Sequence, residues 1–265
     1  MKNLLLLFSA LSLVLTSCSN DDNNSSSEDT SILPKTISYI YPSAMLGTNN
    51  TSVITYSGNK IVSTVDENSK TIFTYDGNLI TKQVKFDLDS KGVETKDAEV
   101  SYTYENGKLK TRILKESFST EYPNGEYIYK TVYTYTSANL ISYVNYSVNV
   151  NTQAESKRDE GSLTFKDGNL VKEQQISGSL ISTRTYEYDA KNNPLKNVLG
   201  FDLLLNEISE FGKNNSTKTT SISSGNSTPT NYLTTYTYND KDYPLRHTSF
   251  AGDGKSIEYE IEYTY

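Results

Sequence analysis

The chain has 265 residues, 32 acidic against 25 basic side chains, a formal net charge of −7 and one cysteine. Acidity of that order repels a phosphate backbone, which argues against nucleic acid as a partner. A lone cysteine cannot staple a fold, so packing alone must hold this one together.

Met1 to Ser17 carries a basic Lys2 and an apolar run from Leu4 to Leu15, too short to span a bilayer. Residues 1–17 read as an export signal and are excluded from the fold. Leu15-Thr16-Ser17-Cys18 resembles a lipobox, where a bacterial lipoprotein signal is cut before a cysteine that then receives lipid. The resemblance implies a thioether diacylglycerol and an amide-linked acyl chain such as palmitate on Cys18, and two or more chains anchor stably where one is marginal. The next stretch, SNDDNNSSSEDTS, is polar, acidic and without aromatics, so it cannot bury enough surface to order itself. Residues 18–33 therefore read as lipidated cysteine and disordered tether, and 34–265 as a single antiparallel β domain. Asp21 and Asp22 resemble the short acidic export signal of Gram-negative lipoproteins. The expected address is the outer membrane, lipid-anchored and facing outward.

From residue 73 the chain repeats itself. FTYDGNLI returns as YTYENGKL, LTFKDGNL, YEYDAKNNPL and YTYNDKDYPL. Each copy is a strand ending in alternating aromatics, a turn, and a second strand opening on Leu or Ile. Asp76-Gly77, Asn106-Gly107 and Asp167-Gly168 are dipeptides that tolerate the positive backbone angles of tight hairpin turns. The last aromatics before the turns are Tyr56, Tyr75, Tyr104, Tyr135, Phe165, Tyr188 and Tyr238, and the chain ends on Tyr265. Their spacing is too irregular for a strict solenoid or propeller, which leaves a meander of unequal hairpins. In SIEYEIEYTY, Ile257, Tyr259, Ile261, Tyr263 and Tyr265 alternate with Glu258, Glu260, Glu262 and Thr264, giving one buried and one wet face.

Between Tyr188 and Tyr238 the interval is about one hairpin too long. Val198, Phe201, Leu204, Leu205, Ile208 and Phe211 recur there at helical spacing, Asn197 can cap the start and Gly212 can end it. The spacing predicts one short amphipathic helix over 198–211, covering sheet surface or closing one end of a rolled sheet, with Gly200 a weak point in its first turn. In a meander the tight turns gather on one rim. The longer polar connections DLDSKGVETKD, SFSTEYPNGE, NVNTQAESKRDE and NNSTKTTSISSGNSTPTN then fall on the other, where binding usually resides.

NLVKEQQIS puts Lys172, Glu173, Gln174 and Gln175 on both faces in mid-strand. A lysine facing lipid at the bilayer midplane costs about 2–4 kcal/mol, so the curled sheet reads as water-soluble.

The Tyr-x-Tyr-Asp strand ends of YEYDAKNNPL and FTYDGNLI resemble the tyrosine-aspartate repeats of bacterial cell-surface shell proteins. The match is partial: Asn193 and Tyr243 stand where glycine is expected, and Glu105, Thr136, Lys166 or Asn239 replaces the aspartate. With NPLKNVLGFDLLL and YTYNDKDYPLRHTS, most of the chain beyond the signal is similar to uncharacterised bacterial outer-membrane lipoproteins whose domain of unknown function has a porin-like fold. That resemblance implies an antiparallel sheet curled toward a barrel, and neither an activity nor functional residues.

His247 is the single histidine and sits in a strand pattern, so Cys-His, zinc and serine-histidine-acid chemistry lack the residues they need. Asp87 to Gly92 and Asn239 to Asp242 imitate calcium loops. Lys91 takes a ligand position in the first, where no closing glutamate follows, and both read as turns. No catalytic residue, metal site or cofactor is expected, and Cys18 is the one assigned site. Most of the 22 tyrosines should pack across strands, while a flat tyrosine face can also stack a sugar or a peptide. The leading expectation is a noncatalytic surface lipoprotein binding an extracellular ligand, a glycan or a surface protein, on the loop rim or the concave face. The alternatives are a carrier of an apolar molecule inside the sheet and a carboxylate-dependent hydrolase.

Overall fold

The computed structural model describes residues 32–205 and 212–265; Cys18 and the signal and tether before it lie outside them. Sixteen strands follow one another: β1 (Thr36–Ile40), β2 (Asn50–Ser57), β3 (Lys60–Val65), β4 (Ser69–Asp76), β5 (Leu79–Leu88), β6 (Glu94–Glu105), β7 (Lys108–Glu116), β8 (Tyr127–Tyr135), β9 (Leu140–Val148), β10 (Glu155–Lys166), β11 (Asn169–Ser177), β12 (Leu180–Tyr188), β13 (Ser216–Ser223), β14 (Asn226–Tyr238), β15 (Pro244–Phe250) and β16 (Ile257–Thr264). Each pairs antiparallel with its neighbours in sequence. β1 also pairs with β16, Ile37 opposite Tyr263 and Tyr39 opposite Ile261, which closes the sheet into a barrel. Closure removes both open edges, the positions at which a long sheet would otherwise pair with other chains.

Each repeated aromatic ends an even-numbered strand. The pairing register slips immediately before Tyr56, Tyr75, Tyr104, Phe165, Tyr188 and Tyr238. A bulge at that point sharpens the local twist and re-aims the side chain. The turned-in tyrosines then latch the rim. Tyr104 Oη donates to the Ile80 carbonyl at 2.7 Å, Tyr188 to that of Leu170 at 2.7 Å, Tyr265 to that of Pro244 at 2.9 Å and Tyr56 to that of Pro34 at 3.0 Å. At Asn106-Gly107 and Asp167-Gly168 both turn residues have positive φ, as the mirror-image hairpin turns require.

The predicted helix over 198–211 does not form in its described part, and Ile208 and Phe211 lie outside it. Only a 3₁₀ turn, Phe201–Leu203, appears. Gly200 at φ 83 and Leu205 at φ 58 both break the helical path. The backbone is spent on the barrel instead: Leu199 N donates to the Asn59 carbonyl at 2.9 Å, and Tyr75 Oη donates to the Leu199 carbonyl at 3.1 Å. Val198, Phe201, Leu204 and Leu205 are buried against Ile54, Ile61, Ile80, Leu109, Ile141 and Leu163 on the inner wall. The described part of the 189–215 connection is therefore a plug at one end of the barrel. YEYDAKNNPL consequently supplies only one arm of a hairpin. After Tyr188 the chain turns inward, with Asp189 accepting from Asn215 N at 3.1 Å and from the Tyr238 hydroxyl.

Two further expectations are corrected. NNSTKTTSISSGNSTPTN is largely β13 and the start of β14, because its Thr-rich polar residues pair as strands. Tight turns are not confined to one rim: 178–179 and 224–225 lie on the rim opposite the plug, and the longest connection is the plug itself. Ordered contacts also begin before residue 34, since Leu33 packs on the core and Asn197 Nδ2 donates to the Ile32 carbonyl at 3.0 Å.

Outside, the wall is charged. Lys130 pairs with Glu155 at 2.7 Å, Lys218 with Glu187 at 2.9 Å, Lys157 with Glu160 at 3.0 Å, and Arg246 with Glu260 at 3.6 Å. Glu258, Glu260 and Glu262 form an outward row on β16, alternating with the inward Ile261 and Tyr263. A barrel immersed in lipid carries an apolar belt on this face.

Candidate functional site

Sixteen-stranded barrels leave room inside that side chains do not fill. Here the plug fills the end defined by the strand-end aromatics, and toward the other rim the inner wall stays in contact with water. Register sets which residues line it. Tyr236 pairs with His247, His247 with Ile261 and Ser249 with Tyr259, so these side chains share the inner face. Their rings form a ladder along β14, β15, β16 and β1. Tyr238 and Tyr236 are 5.9 Å apart, Tyr236 and His247 5.1 Å, His247 and Tyr259 5.6 Å, and Tyr259 lies 6.0 Å from Tyr39 and 6.1 Å from Tyr41. Tyr39, at the open end, is 38 % exposed. His247 is buried within the ladder, wedged between Tyr236 and Tyr259.

Away from the ladder the inner wall is polar. Glu173 faces Leu163 and Arg184 across β10–β12, with Arg184 Nη1 3.8 Å from Glu173 Oε2. The Arg184 side chain is 61 % exposed although it points into the barrel, so water reaches this depth. Tyr186 Oη donates to Glu173 Oε2 at 3.2 Å, and burial first, then the Glu173 charge, pushes its phenol up to about 12. Arg158 stacks over Tyr129 at 4.8 Å. Lower down, Thr131 Oγ1 donates to Asn145 Oδ1 and Asn145 Nδ2 to Asp159 Oδ1, each at 2.7 Å, a relay that satisfies a buried carboxylate. Tyr143 lies over Gly161, where a Cβ would come within 2.5 Å of its ring.

Of the residues flagged as calcium-loop mimics, Asp87 and Leu88 end β5, and 89–92 and 239–242 sit in connections. Asp89 Oδ1 accepts from the backbone N–H of Lys91 and Val93, and Asn239 Oδ1 from those of Lys241 and Tyr243, as side chains that close turns do. Cys18 lies outside the described residues. Glu173, Arg184 and Asp159 were not legible as a group. The one signal was NLVKEQQIS, where polar residues on both faces mark Lys172 and Gln174 as outward and Glu173 and Gln175 as lumenal.

Chemically, the lumen offers aromatic faces beside fixed hydrogen-bond donors and acceptors of both charge signs, a set that suits a polyhydroxylated ligand. Among the described residues no three His, Cys, Asp or Glu side chains converge as a metal site.

The described fold is similar to two solved structures. One is a porin-like protein from Bacteroides vulgatus ATCC 8482, with a TM-score of 0.61 and 13% identity over 88% of this chain and 98% of that one. The other is a porin-like protein from Bacteroides uniformis ATCC 8492, with a TM-score of 0.52 and 10% identity over 87% of this chain and 97% of that one. No family model matches the chain, and no curated protein matches it. What the chain shares with those two proteins is a fold, the porin-like closed barrel.

Proposed function

We propose that this protein is a noncatalytic, lipid-anchored outer-membrane barrel whose open lumen binds an extracellular glycan. The observation that carries the reading is a barrel plugged at one end and open at the other, with a tyrosine ladder leading from the open rim inward. A plugged barrel is a receptacle rather than a channel. Its charged outer wall suits strands standing in water, which leaves lipid on Cys18 as the means of attachment. The tether leaves from the plugged rim, where Ile32 is held by Asn197. Fourteen residues from Cys18 to Ile32 reach at most roughly 50 Å, and a tether leaving from this rim supports an orientation with the plug toward the membrane and the lumen away from it. The carboxylates near the lumen floor, Asp159 and Glu173, accept hydrogen bonds from Asn145 and Tyr186, which suits a binding wall better than acid-base chemistry.

A glycan array probed with the full chain tests the reading, together with conductance in planar bilayers. Binding to at least one glycan is expected, weakened tenfold or more by Tyr39→Ala with Tyr259→Ala, with no ion current. Steady single-channel conductance, or no glycan retained, would overturn it.

A further inference from the structure

Where the tyrosine ladder meets the plug lies a small recess of about 60 Å³. The rings of Tyr39, Tyr236, Tyr263 and His247 wall it on the barrel side, and Leu195 and Asn215 close it from the plug. Two waters fill about that volume in the liquid, at roughly 30 Å³ each. Cavities that take in a whole small ligand measure roughly 300–1,000 Å³, so this recess can admit only an end group. Leu205 and Gly212, the residues on either side of 206–211, are not part of its lining; they lie across the barrel beside Ile141 and Phe165.

Asn215, which is 1 % exposed, supplies the chemistry of this recess. Its Nδ2 donates to the Asn192 carbonyl at 3.1 Å and to Asp189 Oδ2 at 3.2 Å. Both partners are acceptors, so the atom placed there is the nitrogen and the amide cannot be turned round. Oδ1 is thereby fixed as the other end of the amide, and among the described residues nothing donates to it. A buried acceptor without a donor is costly, so the recess favours a group that brings one. No Asp, Glu, Lys or Arg lines it among the described residues. A carboxylate or phosphate would meet an acceptor and no cation, and an ammonium would be buried without a counter-charge. A neutral donor on a short arm suits it.

We infer that the recess takes the hydroxymethyl group of a neutral hexose, whose hydroxyl donates to Asn215 Oδ1 while the sugar ring lies against Tyr39. Tyr39 belongs to both the ladder and the recess, so one sugar reaches both. The inference rests on the lumen reading and narrows it, from any glycan to one that presents a neutral hexose rather than a pentose or a uronate. A site built to receive a hydroxyl rejects an analogue lacking it more strongly than an apolar pocket rejects a missing methylene, because its acceptor is then left unpaired.

The single histidine gives the test its reporter, because the His247 ring protons belong to one residue and lie in the wall of the recess. The full chain carrying Cys18→Ser is titrated, with His247 followed by proton NMR, against methyl β-D-glucopyranoside and methyl β-D-galactopyranoside. Methyl β-D-xylopyranoside and methyl α-L-arabinopyranoside, the same rings without the hydroxymethyl group, serve as the matched pentosides. At least one hexoside should shift the His247 signals, with its pentoside and its uronide weaker by about tenfold or more. Leu195→Trp or Ile37→Phe, each of which fills the recess, should abolish the shift while thermal unfolding stays cooperative. No shift with either hexoside, equal affinity for hexoside and pentoside, or a shift that survives the filled recess would each overturn the assignment. Glycans retained on the array without that preference would sink the recess and leave the lumen reading standing; His247 shifts with no glycan retained would do the reverse.

Discussion

Tyr56, Tyr75, Tyr104, Tyr188 and Tyr265 do at residue scale what their motif could not announce: they hold the plugged rim by donating to backbone carbonyls. Burial is the largest cause raising their phenol pKa, and Tyr75 is pushed up to about 12 with the others raised as well. A group whose folded pKa lies above its unfolded value near 10 adds stability that is present below pH 10 and lost as pH climbs through the folded value. Tyrosinate absorbance should therefore rise in two steps, exposed phenols near pH 10 and the latch tyrosines only with unfolding above about pH 12. A single transition near pH 10 without loss of circular dichroism would contradict the latch. Gly161 offers an independent check. Its backbone is not in the left-handed region, but an added Cβ would overlap the Gln174 carbonyl and press on Tyr143. Gly161→Ala should cost about 1–3 kcal/mol in urea unfolding through overpacking. Gly252→Ala, whose Cβ would meet only Thr230 at 3.7 Å, should stay within about 0.5 kcal/mol of the parent.

The plug is the element on which the interior depends. It is not a helix because Gly200 has to pass the β4–β5 turn with its Cα facing the Asn78 carbonyl, which an added Cβ would approach to 2.9 Å, at a φ of 83. Both features penalise any side chain, so Gly200→Ala should destabilise by about 1–3 kcal/mol. Tyr75→Phe, which removes the hydroxyl donating to Leu199 and accepting from Ile61 N, should cost about 1 kcal/mol. If the plug were only laid on the barrel, both variants would unfold like the parent while hydrogen exchange at 198–204 sped up. The expected outcome is a fall in global stability.

At the scale of the whole molecule, ion pairs such as Lys130–Glu155 and Lys218–Glu187 stand on the outer face, where a lipid-immersed barrel carries an apolar belt. On the proposed reading, attachment rests on Cys18. Cys18→Ser should release a folded protein into the aqueous fraction after cell disruption, with the far-ultraviolet spectrum of a β protein unchanged. Retention of that variant in detergent-requiring membranes would place the wall itself in lipid.

Much of this was readable one residue at a time. Period-two alternation sorted Ile261 and Tyr263 inward and Glu260 and Glu262 outward, since a pleated strand offers no other arrangement. The Asp-Gly and Asn-Gly turns placed hairpins for the same local reason. What the alternation could not say is where the inward faces meet. Closure of β1 on β16 joins residues more than two hundred positions apart, and no local signal encodes that pairing. The stretch 198–205 shows the limit most plainly: its apolar spacing suits a helix, yet the Leu199 carbonyl and amide are taken by Tyr75 and Asn59. Local chemistry decides what a strand or turn can be. Only the closed barrel decided that Glu173, Arg184 and the Tyr39–Tyr259 ladder share one inner face, because inside and outside are defined by curvature, a property of all sixteen strands together.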